Sequence, residues 1–333
     1  MELDRLEWLS LREEEAIDPL IRIVDPHHHL WHRGGSKYLA EELREDTVRT
    51  HNVTNTIFVE CKANYDREKS KEYQPVGETV FVEREARRLG ELGGPKISGI
   101  VGFADLCAGK GVGDVLREHE QVSNGLFRGI RHATAWSDDP EISISHTKPT
   151  KEIMREKSFI EGVSVLGEQG LSFDAWMYFD QLAELNDLAR ACPNVQIVLN
   201  HLGAPLAIGG WKNRYEEVDY LWKSQMVELA MCDNVVLKLG GIGMENYFDT
   251  GWASLAAPPH SKLVANFWRD RIHWCIDTFS PRRCMFESNF PVDRQTLTYS
   301  VLWNAFQLIA DAYDDSEKEF LFSGTACEVY KIT

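Results

Sequence analysis

The chain has 333 residues, of which 43% are hydrophobic and 26% are charged, so it is a globular chain long enough to bury a large core. Its formal net charge of −16 argues against nucleic acids and anionic membranes as partners, because both are polyanions. The amino-terminal residues are acidic where a signal peptide needs cations, and no apolar run is long enough to cross a membrane. Seven dispersed cysteines without a CxxC pair favour reduced thiols. We therefore expect a cytoplasmic protein whose partner is a small molecule.

Eight short runs rich in valine and isoleucine recur along the chain, and each is interpreted as a strand. The predicted strands span residues 21–27, 56–61, 97–104, 127–133, 171–177, 196–201, 235–239 and 284–288. Segments with helical spacing lie between them, such as 180–191 and 300–312. Because apolar strands that alternate with helices form a parallel sheet buried on both faces, and no GxGxxG turn follows any strand, this pattern predicts a (β/α)8 TIM barrel.

The predicted barrel occupies the whole chain as one domain over residues 1–333, with residues 1–20 as an amino-terminal extension. Four segments do not fit a minimal barrel and are interpreted as extended loops that follow strands. They span residues 64–79, 137–151, 211–220 and 244–262. Barrels place their chemistry on this side, so the loops are expected to surround the site.

The strongest chemical signal closes the first predicted strand, in the sequence VDPHHHLW at 24–31. Residues two apart on an extended chain point the same way, so His27 and His29 would both face the barrel mouth. Two convergent imidazoles form either a metal chelate or a polar floor for a substrate. His201 ends the sixth predicted strand and would reach the same rim. The alternatives are a solvated loop for the histidine run and a buried core residue for His201.

Charged residues end two further strands. In FRGIRH at 127–132, Gly129 gives room and Arg131 offers a fork of donors for a carboxylate or carbonyl. A buried ion pair is the alternative for Arg131, and His132 faces the site only if the register slips by one. Glu60 closes the second strand in an apolar setting, where a carboxylate is either paired or functional.

The fifth strand and its surroundings supply a polar residue and several aromatic ones. Asp174 and Trp176 share one face of this strand, with Tyr178 next along it. Together with Trp136, these rings would line an aromatic substrate pocket. Packing in the core is the alternative for each of them.

The eighth strand contributes CMFESNFPVD at 284–293, and at this point an ordered set of motifs is complete. With VDPHHHLW, FRGIRH, VLNHLGAP and VVLKLGG, the chain resembles the amidohydrolase-2 family over roughly residues 20–331. Within that family it is similar to the lactonase-like group, which includes 2-pyrone-4,6-dicarboxylate lactonase and sugar-lactone hydrolases. The resemblance implies a TIM barrel in which histidines of strands one and six and an aspartate of strand eight surround a hydrolysed carbonyl. The matching histidines are His27, His29 and His201.

The strand-eight position departs from the family pattern, because Asn289 stands where the family has aspartate. An amide is not a general base at neutral pH and is a poor metal ligand. Glu287 lies two residues earlier and so faces the same side of the strand, and Asp293 follows just after it. Both are candidate replacements for the missing carboxylate. The alternative for Glu287 is an ion pair inside the barrel with Lys238 or Arg131.

The sequence as a whole predicts a hydrolase of lactones or similar cyclic esters. In one version a divalent metal, with zinc as the first choice, is held by His27, His29 and His201 and activates water. In a metal-free version the imidazoles polarise the carbonyl while a carboxylate activates water. The predicted catalytic residues are His27, His29, His201, Glu287, Asn289 and Asp293. The predicted substrate-binding residues are Arg131, His132, Glu60, Trp136, Asp174 and Tyr178.

Two other functions stay open at this point. One is a metal-dependent aromatic acid decarboxylase of the same superfamily, and the other is a small-molecule binding protein that has lost its base. An arginine in the site favours a substrate that carries a carboxylate. A homodimer is expected, because it is the commonest oligomer.

Overall fold

The computed structural model describes residues 2–332. Its central sheet has eight parallel strands in chain order. They are β1 (Arg22–His28), β2 (Asn52–Val59), β3 (Lys96–Gly102), β4 (Phe127–Ile130), β5 (Ser172–Ala175), β6 (Gln196–Leu199), β7 (Val235–Leu239) and β8 (Cys284–Phe286). A parallel bridge between His28 and Phe290 joins the two edges, so the sheet is a nearly closed barrel. The predicted (β/α)8 fold is confirmed.

Helices connect the strands and cover the outside of the barrel. Their bounds are α1 (Glu2–Ser10), α2 (Ala40–Val48), α3 (Val76–Glu91), α4 (Val112–Val122), α5 (Lys157–Glu168), α6 (Leu182–Ala191), α7 (Tyr215–Ala230), α8 (Glu245–Phe248), α9 (Ser261–Phe279), α10 (Tyr299–Ala310), α11 (Asp315–Glu319) and α12 (Thr325–Tyr330). A small hairpin pairs Trp31–Arg33 with Ser36–Tyr38. Within residues 2–332, no helix combines the length and the apolar character needed to span a bilayer.

Several observed boundaries differ from the predicted ones. Most strands end two or three residues earlier than predicted, because the continuous ladder gives way to single bonds such as Glu60 N to Val101 O at 2.8 Å and Arg131 N to Gly102 O at 2.9 Å. The apolar pattern continues past the ladder, since these residues are still buried. Three of the four predicted loops also contain helix: α3 starts inside 64–79, α7 inside 211–220, and 244–262 holds α8 and the start of α9.

The barrel interior is filled from below by the carboxyl-terminal helix. Tyr330 of α12 packs with valines, isoleucine and methionine of the inner strand faces, and its hydroxyl donates to Asp174 of β5 at 2.9 Å. Lys238 of β7 donates to the same carboxylate at 2.7 Å. Lys238 and Asp174 have no exposed side-chain surface, so each charge depends on the other for compensation.

Replacing Lys238 with methionine is expected to destabilise the fold strongly, because it leaves the buried Asp174 carboxylate without its counter-charge. Removing one partner of a buried pair costs about 3–5 kcal/mol, which denaturant unfolding monitored by circular dichroism measures. The double variant Lys238→Met with Asp174→Asn is the matched control and should regain most of the loss. Equal stability of the single variant and the wild type would contradict this account of the pair.

Candidate active site

Three buried side chains, one from β1 and one each from the segments directly after β6 and β8, converge at the carboxyl-terminal rim of the barrel. His27 Nδ1 lies 2.6 Å from Glu287 Oε2, and His201 Nδ1 lies 2.6 Å from Glu287 Oε1. The His201 backbone N–H also donates to Oε1 at 3.0 Å. Glu287 therefore stands between two imidazoles, whose ring centroids are 4.7 Å apart. Glu287 does not form the ion pair with Lys238 or Arg131 that was the alternative for it, because Lys238 pairs with Asp174 and Arg131 pairs with Glu60.

The donor set of this cluster fits a divalent metal ion. His27, His201 and Glu287 offer ligand atoms that all lie within 4.8 Å of one another, and two histidines with a glutamate form a known catalytic zinc set. Although His27 Nδ1 and Glu287 Oε2 are only 2.6 Å apart, the two atoms are not aligned as a hydrogen bond, and neither has another partner among residues 2–332. Two buried polar atoms that face each other in this way are suited to share a cation.

Backbone geometry on two neighbouring strands makes room for this cluster. Directly after β6, residues 201–204 all have positive φ, with His201 at 53°, which turns the chain sharply at the histidine. After β7, a Cβ on Gly240 would collide with the Glu287 side chain, and a Cβ on Gly241 would lie 2.6 Å from His201 Nδ1. Strained backbone of this kind persists only where the surrounding structure holds it in place.

A buried aspartate ties β1 to β8 directly beneath the cluster. One oxygen of Asp25 accepts hydrogen bonds from the backbone N–H groups of Ser288 at 3.0 Å and His27 at 3.3 Å. The other accepts from the Tyr299 hydroxyl at 3.0 Å. Burial raises the pKa of Asp25 to about 6, against the opposing effect of these hydrogen bonds. Asp25 therefore fixes the relative position of the segments that carry His27 and Glu287.

His29 packs on the His27 ring at a centroid distance of 4.9 Å, but both of its nitrogens face a separate polar chain. Its Nδ1–H donates to Val59 O at 2.7 Å, and its Nε2 faces Oδ1 of Asn289 at 3.3 Å. A neutral ring with its hydrogen on Nδ1 has a lone pair on Nε2, which needs a hydrogen-bond donor. The Asn289 amide supplies that donor when its oxygen and nitrogen are exchanged by rotation about the Cβ–Cγ bond. The turned amide would present its oxygen to Asp293, and burial raises the pKa of that carboxyl well above its usual value, so a protonated Asp293 is the matching donor.

Arg131 is held by Glu60 and contacts the cluster from the opposite side. Its Nε donates to Glu60 Oε1 at 2.9 Å, its Nη2 donates to the Glu60 carbonyl, and its Nη1 donates to His27 Nε2 at 3.3 Å. His146 lies 3.1 Å from the second Glu60 oxygen. Burial alone would raise the pKa of Glu60, but Arg131 and His146 beside it lower that pKa to about 2. Glu60 is therefore ionised, and Arg131 fixes the orientation of His27.

Three of the predicted substrate-binding residues do not reach this cluster. His132 accepts from Leu106 N at 3.2 Å and packs between the rings of Phe103 and Phe159. Asp174 is committed to its buried pair with Lys238. Trp136 contacts Gln181 through its backbone N–H at 2.9 Å, and the Lys151 ammonium lies 5.3 Å from its ring centre. His132 lies outside the site because successive side chains of a strand point to opposite faces, and its neighbour Arg131 points inward.

An aromatic wall borders the cluster beside His201. The Trp176 ring meets the His201 ring edge to face at a centroid distance of 4.8 Å. Tyr247 packs on Trp176 at 5.7 Å and on Tyr178 at 5.6 Å, and Trp176 and Tyr247 are half-buried. The wall offers flat apolar faces to a ligand ring at the cluster.

The sequence motifs did not point to three features of this site. Tyr247 and His146 lie in long loops without periodicity, so no pattern marks them, although any loop after a strand in a barrel faces the site. Gly240 and Gly241 form part of VVLKLGG, and paired glycines at a strand end could have indicated a close approach. Asp25 lies two residues before His27 in the histidine motif, and a carboxylate so close to imidazoles could have indicated a residue that positions the site.

The fold and the cluster together define the class of protein: a parallel β/α barrel with a histidine–carboxylate site at the rim where such barrels carry out catalysis. The family model described as Amidohydrolase matches residues 24–332. The chain belongs to the amidohydrolase family.

Two sequence relatives span nearly the whole chain. The uncharacterized protein y4mH of Sinorhizobium fredii is 31% identical over 326 residues, which cover 94% of this chain and 99% of that protein. An L-fucono-1,5-lactonase of Burkholderia multivorans is 24% identical over 328 residues, which cover 93% and 96%. The lactonase is therefore a distant relative that matches this chain over nearly its whole length.

Among solved structures, an amidohydrolase from Burkholderia multivorans crystallised with bound zinc superposes with a TM-score of 0.71. The two chains are 20% identical, and the superposition covers 93% of this chain and 99% of the other. At this identity the likeness shows the common fold.

Proposed function

We propose that the protein hydrolyses a lactone or a similar cyclic ester at the cluster of His27, His201 and Glu287. The observation that carries the proposal is the position of these side chains, buried together at the catalytic rim of an amidohydrolase barrel. The distant relationship to an L-fucono-1,5-lactonase supports a lactone as the substrate.

We propose further that the cluster holds one divalent cation, with zinc as the first choice because zinc is bound in the Burkholderia multivorans amidohydrolase. The ligands would be His27, His201 and Glu287, so the predicted role of His29 as a third ligand passes to Glu287. When bound, such a cation polarises a carbonyl and lowers the pKa of water.

The chain's own residues place the substrate beside this cluster. Glu60 holds Arg131 beside the His27 ring, whose Nδ1 faces Glu287 while its Nε2 lies 3.3 Å from the arginine Nη1. With a cation at Nδ1 the ring would carry its hydrogen on Nε2, so Arg131 would commit only one N–H at Nε and one at Nη2 to Glu60. Its remaining N–H groups are then free for a substrate oxygen. A lactone ring packed on Trp176 and Tyr247 would present its carbonyl to the cluster and to these donors.

The test is an assay of the purified wild type with metal analysis. We expect zinc or another divalent cation near one per chain, and acid release from a panel of lactones that includes L-fucono-1,5-lactone. Carbon dioxide evolution from aromatic acids without lactone hydrolysis would assign a decarboxylase instead. Saturable binding without turnover of either class would assign a binding protein. Full lactonase activity in protein stripped of metal would establish the metal-free version.

A further inference from the structure

We propose that Glu78 is a positioning residue of this site, which holds Arg131 in place by fixing the peptide unit that Arg131 binds. Glu78 lies in the first turn of α3 and is buried, and no sequence motif pointed to it. The inference rests on the proposed lactone hydrolysis, in which Arg131 offers its free donors to a substrate oxygen. It is carried by the contacts of one peptide unit, by the turn that follows it, and by the charges around the carboxyl group.

The peptide unit between Glu60 and Cys61 is hydrogen-bonded on both of its edges. Its N–H donates to Glu78 Oε1 at 3.0 Å, and its C=O, the Glu60 carbonyl, accepts from Arg131 Nη2. The N–H and C=O of a trans peptide belong to one plane and point in opposite directions. The bond to Glu78 therefore sets the direction in which the Glu60 carbonyl faces. That carbonyl is one of two Glu60 oxygens that hold the guanidinium, the other being Oε1 at 2.9 Å from Arg131 Nε.

The turn that follows Glu60 closes around the same oxygen of Glu78. Ala63 N donates to Glu78 Oε1 at 2.7 Å, and Lys62, between the two donors, has φ 63°. Backbone N–H groups that converge in a turn with a left-handed residue form a concave nest for an oxygen acceptor. A lysine in this conformation persists only where its surroundings hold it. Without the Glu78 side chain, the turn would lose the acceptor that keeps the peptide unit in its orientation.

The guanidinium that this peptide unit holds lies directly against the cluster. Arg131 Nη1 is 3.3 Å from His27 Nε2, and Arg131 is buried. A rotation of the Glu60 carbonyl would release Nη2 and move the donors that Arg131 keeps for a substrate oxygen. Among the described residues, the hydrogen bonds of the Glu78 carboxyl go only to backbone N–H groups of the turn. Glu78 therefore acts on the site through Arg131.

The Glu78 carboxyl is neutral at pH 7. Burial and the neighbouring Glu60 charge raise the pKa of Glu78 to about 8, against the opposing effect of the backbone N–H groups and of Arg131. Cys61 and Tyr65 are the other titratable groups beside it, and burial raises the pKa of each above its usual value, so both are neutral as well. The negative charge of Glu60 thus faces the positive charge of Arg131 without a second anion beside it, and a glutamine amide closely mimics the neutral Glu78.

The experiment combines Glu78→Ala and Arg131→Lys in a double-mutant cycle on L-fucono-1,5-lactone. Glu78→Ala alone should lower kcat/KM by about 10- to 100-fold, the effect of losing a hydrogen bond to a charged group. Lysine keeps the positive charge beside Glu60 but lacks the Nη2 group that the carbonyl binds. In the Arg131→Lys background, Glu78→Ala should therefore change kcat/KM by no more than about 2-fold. The free energy of unfolding, measured in denaturant, should fall in both backgrounds.

The conservative variant Glu78→Gln separates position from charge. Its amide oxygen can accept both N–H groups, so it should retain the wild-type kcat/KM at pH 7. Above pH 8 the wild type gains a second buried negative charge, which weakens the attraction of Arg131 for a substrate oxygen, and the glutamine variant gains none. The ratio of wild-type to variant kcat/KM should therefore be constant up to pH 7 and fall from pH 8 to pH 9.

The matched control is Glu85→Ala, which removes another carboxylate of α3 that accepts a backbone N–H, that of Ala40 at 3.1 Å. It should leave kcat/KM unchanged. Equal losses from Glu78→Ala in both backgrounds, a glutamine variant as impaired as the alanine variant, or a constant ratio up to pH 9 would overturn the role of Glu78 while leaving lactone hydrolysis intact. A wild type that hydrolyses no lactone would instead remove the proposed function and this role with it.

Discussion

Replacing Glu287 with glutamine is expected to abolish both metal binding and turnover while the barrel stays folded. The carboxylate is fully buried and touches His27 and His201, so the amide would leave the two imidazoles without the negative charge that a cation needs. Even partners that only support a metal ligand contribute about 10- to 100-fold in metal affinity or activity, and a ligand itself should exceed that. Zinc titration followed by calorimetry and an initial-rate assay measure the two losses.

A matched control separates the loss of charge at this site from the effect of any buried amide. Glu184 of α6 is also buried, with one carboxylate oxygen unpartnered among the described residues, and it has no contact with the cluster. Glu184→Gln should bind zinc and turn over substrate as the wild type does. If Glu287→Gln kept stoichiometric zinc with unchanged affinity, the assignment of Glu287 as a ligand would be wrong.

Replacing Gly241 with alanine is expected to cost both stability and activity. The residue has φ +68°, and an added Cβ would lie 2.6 Å from His201 Nδ1 and 2.7 Å from its Cγ. A side chain at such a φ costs about 1–3 kcal/mol, and the collision would in addition push the His201 ring away from Glu287. A thermal melt with a rate assay on the same preparation would record both effects.

Gly251 provides the control for this prediction, because it has φ +73° with nothing within 4 Å of the added Cβ. Gly251→Ala should show the backbone cost alone, with a lower melting temperature and an unchanged rate. The difference between the two variants then isolates the collision with His201. Equal activities in Gly241→Ala and Gly251→Ala would mean that the His201 ring does not need its present position.

The periodicity of the sequence was sufficient for the fold, because barrel strands are apolar on both faces and recur between amphipathic helices. It was insufficient for strand ends. At the rim, residues such as Glu60 and Arg131 are buried like strand residues although the regular ladder has already ended. Burial therefore continues past the last regular backbone hydrogen bonds of the strand. A hydrophobic pattern in the sequence reflects burial alone, so it cannot show where the strand ends.

The site shows the same division between local pattern and long-range contact. A spacing of two indicates that His27 and His29 point to one side, but it cannot show that His29 ends on the Val59 carbonyl and the Asn289 amide. Similarly, Asp174 lies at a promising strand position, and only the arrival of Lys238 and Tyr330 from distant elements makes it a structural charge.

The sequence by itself determined the barrel and the family, which follow from the order of strands and motifs along the chain, and it pointed to His27 and His201, which lie at the ends of two predicted strands. The tertiary structure decided that Glu287 lies between His27 and His201, and that a loop brings His146 to Glu60. Those contacts join residues 86 or more positions apart. They depend on how eight strands close around one axis, and no single stretch of chain encodes that closure.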